Sequence, residues 1–348
     1  MTHSSLRILH IGNFLKNTLG TYSVSEALAE RFSAQGHQVI TTSRFQNRLL
    51  RLLDMLSTTL ARQRDYDIAE VAVYSGSAFR WAEAVCALLQ RLKKPYVLTL
   101  HGGNLGNFAA RHPNRVRRLL ASAQAVVTPS HMLRTALLPL RADIEVLPNG
   151  IDLHAMKPYH ERTKANARLA WLRAIQKMYA PQIAVEVIAN LKDEFPEIQL
   201  DLIGPNKDAE AYAQISASID QLRVRDRVQI HGAVPHENIA NLLQHADIFL
   251  NTTTIESFGV SVVEAAALGL CIVSTNVGEL PYIWQHEQDA LLIPPQDAVA
   301  ATTAVKRLLT DPVLAATLSR NARRKAESFD WEVIIPRWER LFRQILNA

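Results

Sequence analysis

Short apolar runs alternate with longer amphipathic segments along most of the chain. Residues 6–11 have the pattern of a buried strand, residues 23–32 carry apolar side chains at helical spacing, and residues 38–42 form a second strand. This order predicts a βαβ unit in a parallel sheet, with ligand-binding loops at the carboxyl ends of the strands. The same rhythm returns over residues 167–293. The pattern therefore predicts an α/β protein with two doubly wound, Rossmann-like domains.

A polar segment without clear periodicity, residues 153–168, separates the two halves. We therefore expect an N-terminal domain over residues 1–157 and a C-terminal domain over residues 158–330. Residues 331–348 carry an amphipathic pattern and are predicted to form a final helix. A ligand cleft between two such domains is the default expectation for the binding site.

Composition narrows the function classes only modestly. The 348 residues are 48% hydrophobic and 20% charged, which is an ordinary balance for a globular protein. The formal charge of +5 is too small to indicate a nucleic-acid partner, but it suits an anionic ligand or an acidic membrane surface. Cys86 and Cys271 lie in apolar segments, so we expect buried free thiols in a reducing compartment. Without a visible leader or apolar span, a cytoplasmic protein is predicted.

Residues 44–64 combine seven leucines and methionines with five arginines. A basic amphipathic helix of this kind can lie on an anionic membrane, which would make the protein peripheral on the inner face of a membrane. The alternative is a helix packed on the sheet with its arginines pointing outward. The sequence alone does not separate these two interpretations.

The strongest candidates for ligand-binding residues lie in residues 253–265, Thr-Thr-Ile-Glu-Ser-Phe-Gly-Val-Ser-Val-Val-Glu-Ala. Glu256 precedes a glycine turn, and Glu264 lies in the alanine-rich helix pattern that follows. Exposed amides and the positive end of the helix dipole favour an anion at such a helix start, and Gly259 allows close backbone approach. The two carboxylates could hydrogen-bond hydroxyls at opposite ends of a sugar nucleotide. The alternative is a pair of solvated surface carboxylates.

His101 follows a predicted strand, residues 95–100, and precedes two glycines. This position at the carboxyl end of a parallel strand suits a ligand-facing histidine, although a lone histidine is often structural. The loop from Gly12 to Gly20 lacks both the Gly-x-Gly-x-x-Gly fingerprint and the Gly-Lys-Ser/Thr of a P-loop. Dinucleotide oxidoreductase and NTPase functions are therefore weakly supported.

Several short motifs occur in a specific order, although each is common by itself. They are Leu-His-Gly-Gly at 100–103, Val-Thr-Pro-Ser at 127–130, Leu-Pro-Asn-Gly-Ile-Asp at 147–152, Ile-Gly-Pro at 203–205, Gly-Ala-Val at 232–234, the Glu-to-Glu stretch at 256–264 and Gly-Glu-Leu-Pro at 278–281. With this set the chain resembles, over nearly its whole length, the retaining GT-B glycosyltransferases of the large family called glycosyl transferases group 1. The resemblance implies two domains facing a central cleft, with the acceptor bound by the N-terminal domain, the nucleotide sugar by the C-terminal domain, and residues 331–348 returning to the N-terminal domain.

The resemblance also implies roles for particular residues. Glu256 matches the carboxylate that contacts the donor sugar near the reacting face, and His101 matches the histidine that holds the transferring sugar. These two are the implied catalytic residues. The implied donor-binding residues are Arg173 and Gly20 at the diphosphate, Glu264 at the ribose, Val234 at the nucleobase rim, and Phe258, Gly259 and Val260 along the donor.

One position departs from the family pattern. A Lys-Gly pair usually follows the arginine, whereas Lys177 here falls one residue early and Met178 and Tyr179 occupy the usual place. Either Lys177 reaches the diphosphate through a shifted loop, or another basic residue such as Lys207 substitutes for it. The sequence slightly favours a substitute.

The implied reaction is retaining transfer of a sugar from a nucleotide-diphosphate sugar to a saccharide or lipid-linked acceptor, in envelope polysaccharide or glycolipid synthesis. No Asp-x-Asp motif is present, so we expect metal independence and no cofactor. Glu256 is expected to position the sugar rather than to form a covalent intermediate. Two alternatives are a sugar-nucleotide epimerase on the same fold and a non-catalytic nucleotide-sugar-binding subunit.

Overall fold

The computed structural model describes residues 5–14, 23–157 and 159–348. These residues form two compact units. One contains the chain up to Gly150 together with Trp331–Ala348, and the other is Ile151–Asp330. Residues 151–157, which the sequence analysis assigned to the N-terminal domain, thus belong to the second unit. The final helix, α14 (Trp331–Leu346), belongs to the first.

The first unit is built on a six-stranded parallel sheet with strand order β2-β1-β3-β4-β5-β6. Its strands are β1 (Arg7–Ile11), β2 (Gln38–Thr42), β3 (Ile68–Val73), β4 (Tyr96–Leu100), β5 (Ala125–Thr128) and β6 (Ile144–Val146). Its helices are α1 (Val24–Ala34), α2 (Arg48–Ala61), α3 (Ser77–Arg91), α4 (Leu105–Arg111), α5 (Pro113–Ala121), α6 (His131–Leu137) and α14 (Trp331–Leu346). One face of the sheet packs on α14 through the tryptophans at 331 and 338.

The second unit repeats this architecture with strand order β12-β11-β10-β7-β8-β9, again all parallel. Its strands are β7 (Arg168–Leu172), β8 (Gln199–Ile203), β9 (Val228–Gly232), β10 (Ile248–Asn251), β11 (Cys271–Thr275) and β12 (Leu291–Ile293). Its helices are α7 (Pro181–Leu191), α8 (Ala209–Gln221), α9 (Ile239–Leu243), α10 (Val260–Ala267), α11 (Leu280–Ile283), α12 (Ala298–Thr310) and α13 (Pro312–Glu327). Apolar clusters fill both faces of this sheet.

Three short helices were not predicted: α4, α6 and α11. Each has seven residues or fewer, so it makes at most two turns and shows no recognisable helical period. The predicted 44–64 helix is shorter in the structure. It begins after Asn47, whose side chain accepts hydrogen bonds from the amides of Leu49 and Leu50.

The strand order reverses at one place in the second sheet, between β7 and β10, because later strands are added on either side of β7. In open α/β sheets, ligands bind beyond the carboxyl ends of the strands at such a switch point. A ligand site in this unit is therefore expected at the segments that follow β7 and β10.

Candidate functional site

Two residues of opposite charge meet at the switch point of the second sheet. Arg173 follows the last residue of β7, and Glu256 lies in the loop between β10 and α10. Their side chains form an ion pair, with the Arg173 side chain 21% exposed and that of Glu256 only 7%. A largely buried ion pair loses hydration of both charges, so it needs further polar partners.

Backbone groups hold Glu256 on both sides. Its Oε1 accepts hydrogen bonds from the amides of Ser257, at 2.9 Å, and Phe258, at 3.3 Å. Its own carbonyl accepts from the amide of Glu279 at 3.1 Å. Gly278 passes so close that a Cβ atom there would lie 1.9 Å from the Glu256 carbonyl oxygen. The carboxylate therefore has one oxygen on local amides and the other on Arg173.

The guanidinium of Arg173 stacks over Tyr179, 5.1 Å from the ring centroid. Burial lowers the pKa of Arg173, and nearby Tyr179 and Glu264 oppose this shift. Arginine titrates so far above neutrality that the side chain stays charged. The backbone here is also tightly packed, because a Cβ at Gly204 would lie 1.9 Å from the carbonyl oxygen of Arg173. Arg173 is thus a fixed cation at the end of β7.

Helix α10 begins directly after the Glu256 loop. Gly259, at φ +93°, occupies the position before the helix, where a side chain would be strained. Phe258 is 2% exposed and packs edge-on against Phe329 at 5.5 Å, so its ring belongs to the core. Val260, the first helical residue, is partly buried. The amides of this first turn point along the helix axis, out of its N-terminal end, where they can bind an anion.

The second carboxylate of the motif, Glu264, lies on α10 and is 7% exposed at its side chain. Its Oε1 is 2.8 Å from Nε2 of His236, which lies in a 3₁₀ turn after β9. Val234, in the same loop, packs against the core next to α10. The structure thus brings Arg173, Glu256 and Glu264 into one neighbourhood of the second unit.

Lys177 has a different partner. Its Nζ lies 2.7 Å from Glu210, and its side chain is 56% exposed. Lys207 donates its amide to the carbonyl of Ile175 at 3.3 Å. Lys177 is therefore bound to a surface carboxylate at the start of α8.

The remaining predicted site residues belong to the first unit. His101 follows β4 and stacks on Tyr74, with ring centroids 5.2 Å apart and planes 20° apart. Burial lowers the pKa of His101 to about 4, although the nearby carboxylate of Glu70 opposes this. At neutral pH the ring is therefore uncharged. Gly20 lies outside the described residues.

The described residues also bear on metal binding and on membrane insertion. No group of three or more histidine, cysteine, aspartate or glutamate side chains there is arranged to hold a metal ion. None of the helices in that part of the chain is both long and apolar enough to cross a bilayer. Cys86 and Cys271 are buried free thiols.

Helix α2 has an unusual orientation. Leu49, Leu50, Leu53 and Leu60 are between 49% and 73% exposed. In contrast, Arg51 is 8% exposed, where it stacks over a tryptophan ring and bonds the carbonyl of residue 45. The arginines at 44, 48, 62 and 64 are exposed and Met55 is buried, as expected of a helix packed on the sheet, but the outer face also carries these four leucines.

Sequence comparison identifies the family. Residues 159–325 match the model of the family described as "Glycosyl transferases group 1", and residues 42–155 match "Glycosyltransferase Family 4". The C-terminal part of the chain belongs to the group 1 glycosyltransferases, and both models describe glycosyltransferases. Among similar proteins is the D-inositol 3-phosphate glycosyltransferase of Streptomyces avermitilis, 25% identical over 274 residues, or 74% of this chain. The match covers 59% of that relative's own length.

Solved structures establish the fold of this glycosyltransferase. A sucrose-phosphate synthase from Thermosynechococcus elongatus superposes with a TM-score of 0.81 at 20% identity, covering 99% of this chain and all of that one. The Anabaena protein HepE, solved with UDP and glucose, gives 0.78 at 17% identity, with 97% and 100% coverage. With the two six-stranded parallel sheets, these likenesses show a two-domain α/β GT-B fold.

Two neighbours of the glycosyltransferase motif were not singled out from the sequence. His236 contacts Glu264, and Tyr179 lies under Arg173. His236 has no motif of its own, and its loop connects to Glu264 only through the fold. Tyr179 was named only as part of the departure from the family's Lys-Gly pair, and its position under Arg173 is known only from the fold.

Proposed function

We propose that this protein transfers a sugar from a nucleotide-diphosphate sugar to a saccharide or lipid-linked acceptor, with retention of configuration at the anomeric carbon. The observation that carries the proposal is the contact between Arg173 and Glu256 at the switch point, directly before the N-terminus of α10. This arrangement places a fixed cation, helix amides and a carboxylate in one small region.

The cation and the helix start suit the leaving diphosphate. Arg173 has a planar fork of donors that matches phosphate oxygens, and the amides at the start of α10 add the positive end of the helix dipole. Together they can stabilise the charge that develops when the bond to the sugar breaks, without a metal ion. Activity that persists after treatment with EDTA would support this part of the proposal, and full loss restored by Mg²⁺ would contradict it.

Glu264 suits the ribose of the nucleotide. A buried carboxylate accepts hydrogen bonds and can bind both ribose hydroxyls, and His236 holds one of its oxygens at 2.8 Å. Val234 would line the nucleobase rim from the same loop as His236. A nucleotide diphosphate with deoxyribose in place of ribose should therefore bind more weakly to the wild type than the ribose form.

Glu256 suits a positioning role near the sugar rather than a covalent one. One of its oxygens accepts from two amides and the other contacts Arg173, which leaves little charge free for nucleophilic attack. In the proposed step the bond from the anomeric carbon to the diphosphate breaks and the acceptor oxygen bonds to the same face. A diphosphate oxygen takes the acceptor proton. His101 is proposed to bind a hydroxyl of the transferring sugar.

A panel of nucleotide sugars, beginning with UDP-glucose, tests the function. A bound donor should raise the melting temperature, since ligands that bind the native state stabilise it. Glu256→Gln should reduce transfer by ~10²-fold or more while UDP still binds. Glu194→Gln, which removes a carboxylate from an exposed ion pair with Lys306, is the matched control and should transfer normally. Turnover without any acceptor would instead indicate an epimerase.

We further propose that α2 docks the enzyme on an anionic membrane that carries its acceptor. Leu49 and Leu53 are 73% and 61% exposed, and exposed arginines lie at both ends of the helix, at 44, 48, 62 and 64. Apolar insertion and charge attraction both contribute to such binding. Leu49→Glu with Leu53→Glu should abolish flotation with anionic liposomes. Val299→Glu with Val313→Glu, at positions 73% and 77% exposed in the second unit, should not. Wild-type protein that floats with neither anionic nor neutral liposomes would contradict the proposal.

A further inference from the structure

A row of polar side chains crosses the sheet of the first unit below His101. His10 on β1 pairs in register with Glu70 on β3, and Glu70 pairs with Val97 on β4. Alternate residues of a strand share a face, so Thr99 and His101 project to the same side as Glu70 and His10. Three adjacent strands thus contribute to one polar row that ends at His101.

The first two members of this row are almost completely buried. His10 and Glu70 are each 1% exposed, with Nε2 of His10 2.7 Å from Oε2 of Glu70. The distance is short, but the two atoms do not meet the angular requirements of a hydrogen bond. Among the described residues, Nδ1 of His10 also has no hydrogen-bond partner. Buried polar groups normally satisfy their hydrogen bonds, so such a cluster calls for a functional explanation.

A small cavity joins the members of the row. Its volume is about 20 Å³, and His10, Glu70, Thr99, His101 and Asn149 are among the residues that line it. This is enough space for one water molecule, which needs two to four polar partners to be retained. A water at this place can link the unsatisfied atoms of the row to the ring of His101.

The charges of the row are consistent with such a link. Burial raises the pKa of Glu70, but the nearby side chains of His10 and Thr99 outweigh it, so the pKa is lowered overall and the group is a carboxylate. Burial also keeps His101 uncharged. A neutral imidazole has one donor and one acceptor nitrogen, and an acceptor-only carboxylate nearby determines which nitrogen carries the proton.

We propose that Glu70 is a positioning residue that, with His10 and one bridging water, fixes the orientation and tautomer of His101. The role of His101 in sugar binding rests on the proposed function, but its positioning by Glu70 does not. Tyr74 restrains the ring from its flat side by stacking, so the polar row needs to determine only the rotation of the ring in its plane.

Nitrogen-15 NMR of the imidazole groups tests the proposal directly, with the His101 signals assigned from a His101→Asn variant. We expect one neutral tautomer of His101 in the wild type from pH 6 to 8 and a changed tautomer ratio in Glu70→Gln. Glu339→Gln is the matched control. It removes the carboxylate of another histidine–glutamate pair in the same unit, Glu339 with His37 at 2.8 Å, and should leave the His101 signals unchanged.

Thr99→Val provides a second test in case Glu70→Gln does not fold, because it removes one polar group of the cavity while keeping its shape. A changed His101 tautomer in folded Glu70→Gln supports the proposal, and wild-type His101 signals there overturn it. If Glu70→Gln does not fold, the His101 signals of Thr99→Val decide in the same way. The kinetic counterpart is a fall in kcat of at least about tenfold in Glu70→Gln, with UDP affinity unchanged. If the wild type shows no transfer while the NMR change occurs, the proposed function fails and the positioning role stands.

Discussion

Gly278→Ala tests whether close backbone packing holds Glu256 in place. The added Cβ would lie 1.9 Å from the carbonyl oxygen of Glu256, 2.8 Å from its carbonyl carbon and 3.0 Å from its nitrogen. Real Cβ atoms essentially never approach other atoms within 3.0 Å, so the backbone of Glu256 or of residue 278 must move by at least about 1 Å. The obstacle is backbone rather than a flexible side chain, so the strain cannot be relieved by a rotamer change.

The expected size of the effect has two parts. Overpacking costs about 1–3 kcal/mol, and placing alanine at the left-handed φ of +59° costs about 1–2 kcal/mol more. The sum is a loss of about 2–5 kcal/mol in the free energy of unfolding. Because misplacing a reacting group by 1 Å costs on the order of 10²-fold in rate, transfer should fall by about that factor.

Urea denaturation measures the stability change, and initial rates of transfer measure the activity change. Gly232→Ala is the control for stability in the same unit. Gly232 has a φ of +70° and nothing within 4 Å of its Cβ position, so it carries only the backbone cost of about 1–2 kcal/mol. If Gly278→Ala is as stable as Gly232→Ala and transfers at the wild-type rate, the packing argument for Glu256 is wrong.

Three further predictions concern buried polar groups. Arg162→Met should lower the free energy of unfolding by about 3–5 kcal/mol in urea denaturation. The guanidinium donates to two buried carbonyls, and its removal takes away the cation that faces Asp247; a loss below about 1 kcal/mol would contradict this. Iodoacetamide at pH 8 should label Cys86 and Cys271 only after unfolding, because burial raises the pKa of each thiol to about 12; rapid labelling of the native protein would refute it. His101 has a folded pKa of about 4 against an ordinary 6.5, so its contribution to stability is complete above pH 6.5 and is lost towards pH 4. The free energy of unfolding should fall by at most about 3 kcal/mol between about pH 6.5 and pH 4, because some of the ring remains exposed. Urea denaturation at these two pH values should show no such contribution in His101→Asn.

Local pattern was enough to predict most strands and the longer helices. The central strands of the two sheets are mostly apolar runs bounded by turns, because a parallel sheet is buried on both faces, whereas the edge strands β2, β6 and β9 are more polar and more exposed. The motif from Glu256 to Glu264 was recognisable for the same reason, since a strand, a glycine turn and a helix occur within a few residues. The short helices α4, α6 and α11 were missed because they contain too few turns to show a period.

Partners that are distant in the chain could not be predicted in this way. The sequence contains Arg173 and Glu256 as separate residues, and the neighbouring positions of β7 and β10 bring them into contact. Lys177 likewise has a partner that the sequence does not reveal, because Glu210 lies at the start of α8, 2.7 Å from its Nζ. Such contacts depend on strand order and loop paths, for which a single sequence holds no local signal.

The sequence by itself determined the two-domain α/β architecture, the family and the amphipathic character of α2, since each depends on periodic burial or on short ordered motifs. Only the tertiary structure decided which face of α2 is buried and which charges meet. Arg51 turns inward because a tryptophan ring, a backbone carbonyl and a side-chain amide oxygen receive it, and four of the leucines are left outside. The polar row below His101 likewise exists only because β1, β3 and β4 are neighbours with their residues in register. Backbone stereochemistry acts over a few residues, whereas an ion pair or a buried polar row needs several strands to be in place at once.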